Sequence, residues 1–154
     1  MKIAISIIVL LLNISCINKK VHENMQQSEI TTVYKGSLFG AGAEGFTKEN
    51  IVIRTEKEWQ EVLNKLNTTN NVSEQFKGTI DFTKNNVIIA VDNVRNTGGF
   101  SINIDEVLDK KDATEISVVT KGPGPSDNVI MAITQPIHIV LINKTNKEIV
   151  FLEK

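Results

Sequence analysis

The sequence predicts a small α+β domain over residues 33–154, with a mostly antiparallel β-sheet of sandwich-like or open-barrel form and one amphipathic helix. Two observations carry this prediction. In the stretch VIIAVDNVRNTGGFSINIDEV, residues 87–107, a continuous apolar run is followed by strict alternation, which indicates two kinds of strand. Residues 51–67 change from a period of two to a period of 3.6, which indicates a strand followed by a helix.

Length, charge and cysteine content exclude several classes of protein. The 154 residues suffice for one modest domain. The net charge of −1, without any block of lysine and arginine, argues against a nucleic-acid-binding protein. Cys16 is the only cysteine, so no intramolecular disulfide can form and the core depends on apolar burial.

Residues 1–15 have the pattern of a signal peptide. Lys2 supplies a positive charge, and the apolar segment Ile3–Leu12 is too short for a permanent transmembrane helix, which needs about 20 residues. The small residue directly before Cys16 resembles the cleavage box of bacterial lipoproteins, in which leucine usually stands where this chain has Asn13. The resemblance implies cleavage before Cys16 and attachment of lipid, such as palmitate, to that residue. An uncleaved anchor, or an ordinary secretory peptide that leaves Cys16 as a free thiol, are the alternatives.

Residues 16–32 are polar, have no sustained apolar period, and predict a flexible tether. His22 lies in this segment, and we assign it no role. An acylated cysteine followed by such a tether would hold the domain at the cell envelope, at the outer membrane or the cell surface.

Residues 33–45 begin as a strand and end in glycines. Gly40–Gly45 fits the dinucleotide pattern GxGxxG literally, but that motif needs a helix directly after it, and Ile51–Ile53 reads as a further strand. A glycine-rich strand or bulge that packs closely against another segment is therefore favoured, and no nucleotide is expected.

The helix prediction depends on one capping box and one apolar stripe. Thr55 and Glu58 have the spacing of a capping box. The apolar stripe that follows has helical spacing and consists of Trp59, Val62, Leu63 and Leu66. Trp59 is predicted to anchor the helix to the sheet.

The break between the two central strands is predicted to be a glycine-tipped connection between adjacent antiparallel strands, which exposes Arg95 to a partner. Residues 121–126, KGPGPS, must form an exposed loop because proline and glycine exclude a helix or central strand. Further strands are predicted at 115–120, 137–142 and 149–152.

Several of these segments together resemble a known family. They are Asp81-Phe82 before the apolar run, Thr97–Ile102, a Pro/Gly loop, and Thr134–Val140. The pattern is similar to the C-terminal domain of the protease complex subunit PrcB, over roughly residues 81–142. Asn96, Phe100 and Ile137 depart from the usual PTGGYS and TxPYHIV forms. The resemblance implies a non-catalytic lipoprotein domain that binds or stabilises a partner protein, such as a surface protease.

A second resemblance concerns the chagasin-type inhibitors of cysteine proteases, which present three loops from one end of a β-sandwich. Asn96–Gly99, Gly122–Gly124 and Gln135-Pro136 follow the order of those loops, but the tryptophan of the third is missing. Both resemblances imply a loop-borne protein-binding site. Its candidate residues are Arg95, Asn96, Thr97, Gly98, Gly99, Phe100, Gly122, Pro123, Gly124, Pro125, Gln135 and Pro136.

The residues do not suggest an enzyme. His138 lies between two isoleucines of a predicted strand, which favours a structural histidine bonded to neighbouring backbone. Ser101 and Ser126 are available as nucleophiles, yet neither lies in a nucleophile elbow. No HExxH or Cys/His cluster predicts a metal, and no cofactor is expected.

Overall fold

The computed structural model describes residues 26–154, so the predicted signal peptide, Cys16 and His22 lie outside the described residues. Residues 26–154 form two four-stranded sheets and one α-helix. The outer sheet has the order β1-β5-β6-β8, with bounds Gln26–Gln27, Ser101–Asp109, Ala113–Lys121 and Glu148–Glu153. The central sheet has the order β2-β7-β4-β3, with bounds Thr31–Leu38, Gln135–Asn143, Asn85–Val91 and Glu49–Ile53. Helix α1 spans Glu56–Leu66, and a short 3-10 helix spans Val72–Gln75.

These elements confirm the predicted fold class. All strand pairs are antiparallel except β6 with β8, which is parallel. Thr55 caps α1 in a complete capping box with Glu58. Trp59 is buried in the core between α1 and the central sheet, as the sequence predicts. In the described part of the chain, no helix is long and apolar enough to cross a membrane.

The central sheet is buried on both faces, which explains its continuous apolar runs. On one face Val87, Ile89 and Val91 of β4 pack in the cluster that contains α1. On the other face Ile88 and Ala90 pack against the outer sheet. Both sets of side chains are excluded from water, because alternate residues of one strand point to opposite faces.

The predicted pairing of the two central strands is wrong. β4 lies in the central sheet and β5 lies in the outer sheet, so residues 92–100 cross between the sheets instead of closing a hairpin. The sequence pattern identified both strands but not their partners. Both edges of β4 are hydrogen-bonded within the central sheet, to β3 and to β7, so neither edge is left for β5.

Side chains join the two sheets along both of their margins. On the margin of β2 and β5, Lys35 Nζ donates to Asn103 Oδ1 at 2.8 Å. On the margin of β3 and β8, Lys48 forms an ion pair with Glu153, and Arg54 donates to the carbonyl of Lys147 at 3.3 Å. The two sheets pack face to face over a shared apolar cluster and remain separate in their backbone pairing, so the fold is sandwich-like, one of the two forms that the sequence predicts.

The predicted tether differs from the structure over residues 26–32. Gln26 and Gln27 pair with β5, and Thr31 begins β2 opposite Leu141. The polar composition of this segment suits its exposed position at the sheet margins, so its backbone enters the sheets without an apolar period. The remainder of the predicted tether, residues 16–25, lies outside the described residues.

Candidate functional site

The two ends of the molecule differ in what they contain. At one end, which we call the base, β2 begins opposite the last residues of β7 and β1 pairs with the end of β5. At the other, which we call the loop end, β2 and β4 finish and β7 begins. Three segments cover the loop end: residues 39–48, 92–100 and 122–134. Two of them contain ten of the twelve candidate residues of the sequence analysis, and the other two, Gln135 and Pro136, begin β7.

Residues 92–98 and 130–134 form an irregular ladder at the loop end. Arg95 and Thr134 exchange backbone hydrogen bonds of 2.7 and 3.0 Å, and Gly98 N donates to the carbonyl of Ile130 at 3.0 Å. The Thr134 hydroxyl donates to the carbonyl of Thr97 at 2.9 Å. The loop is thus held by hydrogen bonds on both of its arms, and its shape is set before any partner arrives.

Arg95 is engaged inside the molecule and is not a free cation. Its guanidinium donates two hydrogen bonds of 2.9 Å to the carboxylate of Asp92, whose side chain is only 1% exposed. The same guanidinium stacks over the ring of Phe100 at 4.5 Å from its centroid. Arg95 therefore positions the loop, because its charge is already neutralised and its face is already covered.

The two glycines of the family signature have structural reasons. Gly98 is buried, and a Cβ there would approach the side chain of Ile130 to 2.6 Å. Gly99 has φ +86°, and a Cβ there would approach Val129 and Pro123 to 3.0 and 3.2 Å. Close contact of Gly99 with Pro123 brings the two predicted loops together.

The remaining candidates divide by exposure. Asn96, Gly122, Gly124 and Pro125 are exposed, and Thr97, Phe100 and Pro123 are half-buried. Gln135 and Pro136 are buried in β7, where the Gln135 amide donates to the carbonyls of Phe46 and Asp92 at 3.1 and 3.0 Å. Gln135 therefore joins the 39–48 and 92–100 segments by hydrogen bonds. Gln135 and Pro136 are both buried, so neither can contact a partner.

The loop end also exposes a set of large apolar side chains that the sequence analysis did not single out. We call this set the apolar ridge. Its members and their exposed fractions are Phe39 58%, Val94 41%, Ile130 63%, Met131 87% and Ile133 47%. A run of apolar residues between a Pro/Gly loop and a strand, as at 129–133, is the signal that could have revealed it.

Register and contacts place Phe39, Val94 and Ile133 of the apolar ridge at the same end of the molecule. Val94 and Ile133 each adjoin the Arg95–Thr134 bridge. Phe39 follows Leu38, which pairs with Gln135. A Cβ at Gly42 would lie 3.3 Å from Val94, so the turn after Phe39 touches the same loop. Clustered exposed apolar side chains of this kind mark interaction sites more often than isolated ones do.

The Gly40–Gly45 segment is a turn and not a nucleotide loop. It leads to β3 rather than to a helix, so the strand–turn–helix context of the dinucleotide motif is missing. Glu44 is 2% exposed, and its Oε1 accepts the backbone N–H of Gly40 at 3.0 Å. A Cβ at Gly40 would collide with that carboxylate at 2.3 Å, so the glycine accommodates the buried acid.

His138 joins the two sheets. Its Nδ1 accepts the N–H of Ile104 at 2.9 Å, and its Nε2 lies 3.1 Å from the Thr32 hydroxyl. Since Nδ1 accepts, the ring proton is on Nε2 and is donated to Thr32. Burial, with a smaller contribution from Lys35, lowers the pKa of His138 to about 4. Both ring nitrogens are thus used in holding β2, β5 and β7 together, in agreement with a structural histidine.

Neither serine considered above bonds to this histidine. The partners of the ring are Thr32 and the backbone of Ile104, while Ser101 begins β5 and Ser126 lies in the exposed 121–126 loop. Within residues 26–154, no group of three or more His, Cys, Asp or Glu side chains is arranged to hold a metal. The apolar ridge is therefore the strongest candidate site in the described part of the chain.

Comparison with known families supports the resemblance found in the sequence. Residues 87–143 match the family model PrcB C-terminal. The PrcB C-terminal segment runs from β4 to β7 and includes strands of both sheets, the ladder of the loop end and four of the five ridge residues. No curated protein and no solved structure gives a significant match to the chain. The chain is thus similar to the PrcB C-terminal family over this segment.

Proposed function

We propose that this protein is a non-catalytic envelope lipoprotein whose apolar ridge binds a partner protein, with a surface protease as the first candidate. Lipid on Cys16 would attach it to the membrane, and the globular domain would dock to the partner. The apolar ridge at the loop end is the single observation that carries the binding part of this proposal. The PrcB C-terminal match supports a protease as the kind of partner.

Two contributions favour binding at the ridge: burial of apolar surface and a small loss of conformational entropy. Covering the ridge removes apolar surface from water, at about 25 cal/mol per Å². Its backbone is already fixed by the Arg95–Thr134 bridge and the Gly98–Ile130 hydrogen bond, so little conformational entropy remains to be lost on association. The charge of Arg95, which follows Val94 in the chain, is paired with Asp92, which limits the desolvation cost.

The position of the ridge suits a membrane-anchored protein. β2 starts at the base with Thr31 and ends at the loop end with Leu38, a length of about 26 Å at 3.3 Å per residue. A chain anchored through Cys16 would enter the domain at the base. The ridge would then face away from the lipid, where a partner has access to it.

Co-purification from solubilised membranes tests the proposal. The full chain should retain a reproducible partner, identified by mass spectrometry and assayed for proteolytic activity. A Met131→Asp, Ile133→Asp double variant should reduce recovery of that partner about tenfold or more, because it places charge in the apolar contact. Leu152→Asp is the matched control, since Leu152 is an exposed apolar residue of β8 outside the ridge.

Two results would contradict the proposal. One is equal partner recovery by the ridge variant and the Leu152→Asp control. The other is a stable partner with no proteolytic activity, which would leave the ridge as a binding site and remove the protease. A separate Cys16→Ala variant should leave the membrane fraction or accumulate unprocessed, which tests the anchor independently of the ridge.

A protease inhibitor that uses the same loops is the second candidate function. The contact of Gly99 with Pro123 favours it, because it brings two of the three inhibitor-like loops side by side. The third pair, Gln135-Pro136, is buried, and the exposed Ile130–Ile133 segment would have to replace it. Titration of the full chain against papain-like and subtilisin-like proteases decides this, since an inhibitor gives stoichiometric loss of activity and an accessory subunit does not.

A further inference from the structure

Met131 is the most exposed member of the apolar ridge. Its side chain is 87% exposed, compared with 63% for Ile130 and 47% for Ile133. It is also the only methionine within residues 26–154, because Met1 and Met25 lie outside the described residues. The other ridge side chains are hydrocarbons, so the Met131 thioether is the one group of the ridge that a mild oxidant can modify.

Hydrogen bonds fix the backbone on both sides of Met131. Gly98 N donates to the carbonyl of Ile130 at 3.0 Å, one residue before Met131. Three residues after it, Thr134 exchanges backbone hydrogen bonds of 2.7 and 3.0 Å with Arg95. The segment between these bonds is therefore held at the surface, and the thioether stays in contact with solvent in the free protein.

The two cations of the loop-end segments are already paired. Arg95 forms its ion pair with Asp92, and Lys48 forms one with Glu153. Neither guanidinium nor ammonium is thus left to compensate a new acceptor oxygen on Met131. A sulfoxide there would depend on water for its hydrogen bonds, and burial in an interface would remove that water at a cost in free energy.

We propose that Met131 is a site of reversible oxidation by hydroperoxides, and that its sulfoxide releases the partner bound by the apolar ridge. This inference rests on the proposed function, because it concerns regulation of the same surface. The sulfur lone pair attacks one oxygen of the hydroperoxide, and the S–O bond forms as the O–O bond breaks. The second oxygen takes the proton of the first and leaves as water or an alcohol. Sulfur loses two electrons in this step and the peroxide gains them.

Oxidation should change binding without changing the fold. The sulfoxide is polar and would be buried against apolar partner surface, so partner binding should weaken about tenfold. Because the side chain is 87% exposed in the free protein, the urea midpoint of unfolding should stay unchanged. Loss of binding with an intact fold separates a switch from oxidative damage to the core.

Hydrogen peroxide treatment of the full chain tests the inference, with peptide mass spectrometry to follow the gain of one oxygen atom at Met131. In the free protein, the rate constant should lie within about threefold of that of N-acetylmethionine amide. In the complex with the co-purified partner, oxidation should be about tenfold slower because the partner covers the ridge. Recovery of the partner should fall about tenfold after oxidation, and methionine sulfoxide reductase should restore it.

Met131→Leu is the matched variant, since it keeps the apolar volume and removes the thioether. It should retain the partner both before and after peroxide treatment. The variant still contains Met25 and Cys16, so a peroxide effect that acts through either of them would persist in it. Met131→Gln, which places a polar oxygen at the same position, should lower partner recovery without any peroxide.

Three results overturn the inference while the proposed function stands. They are equal partner recovery before and after complete oxidation of Met131, the same peroxide-induced loss in Met131→Leu, and oxidation of the free protein more than tenfold slower than that of the model amide. Failure to recover any partner before oxidation has a different meaning. It contradicts the proposed function itself, and the switch is then excluded with it.

Discussion

The central sheet and the apolar ridge contain the same kinds of side chain in opposite surroundings. Ile88, Ile89 and Ile139 of the central sheet are 0% exposed, whereas Ile130 and Ile133 of the ridge are 63% and 47% exposed. The sheet residues find neighbours on two faces, from α1 and from the outer sheet. The ridge residues lie beyond the last strand pairs, where no layer formed by residues 26–154 covers them. Apolar composition therefore contributes to folding in one region and is available for binding in the other.

The largest expected effect is in the central sheet. Ile89→Ala should lower the free energy of unfolding by about 2–5 kcal/mol, because it removes buried methyl groups and leaves a cavity between β4 and α1. Urea denaturation monitored by Trp59 emission measures this loss. A loss below about 1 kcal/mol would contradict the conclusion that apolar side chains of the central sheet stabilise the fold more than those of the ridge do.

Acid should weaken the central sheet through His138. Its pKa is lowered from 6.5 to about 4 in the folded protein, so the neutral ring stabilises the fold above pH 6.5. As pH falls from 6.5 to about 4, the unfolded chain takes up this proton first, and stability should fall by at most about 3 kcal/mol. Denaturation series at several pH values test the slope. His138→Gln should flatten it over that range, and an unchanged slope would contradict the assignment.

The Arg95–Asp92 ion pair lies between the central sheet and the ridge, and its loss should lower the free energy of unfolding by a smaller amount. Asp92→Asn removes the buried charge that neutralises Arg95, whose side chain is 28% exposed, and should cost about 1–3 kcal/mol. Amide exchange should quicken at Arg95 and Gly98 before it changes in the central sheet. Lys84→Gln is the control, since its ion pair with Asp81 is exposed and screened by solvent, and its removal should leave the free energy of unfolding unchanged within error.

The smallest effect on stability belongs to the ridge itself. Met131→Ser should change the free energy of unfolding by no more than about 0.5 kcal/mol, because Met131 is 87% exposed. The same variant should weaken partner binding, which pull-down with the purified partner measures. A large loss of stability would place Met131 in the fold rather than in an interface.

Periodicity predicted the parts of the fold that depend on neighbours along the chain. The capping box at Thr55, the apolar stripe of α1 and the buried run at β4 follow from local spacing, and the structure has all three. Pairing between distant strands is not a local property, and the predicted hairpin between β4 and β5 is wrong for that reason. Alternation shows which face of a strand is dry but does not show which sheet covers that face.

The candidate site was predicted in part for the same reason. Gly/Pro composition located the loops at 92–100 and 122–126, and the contact of Gly99 with Pro123 shows that they meet. Exposure of Val94 was not predictable, because a single apolar residue near a strand is usually buried. Burial of Gln135 was also not predictable from the sequence, since the two carbonyl groups that accept its hydrogen bonds come from other segments of the chain.

By itself, the sequence determined where most strands of residues 33–154 lie, where helix α1 begins, and that glycine and proline shape the loops. Those properties follow from backbone preferences and from the spacing of apolar side chains over a few residues. Tertiary structure alone decided that β4 and β5 belong to different sheets, that Arg95 is neutralised by Asp92, and that the ridge remains uncovered. Each of these depends on residues brought together by the packing of whole layers.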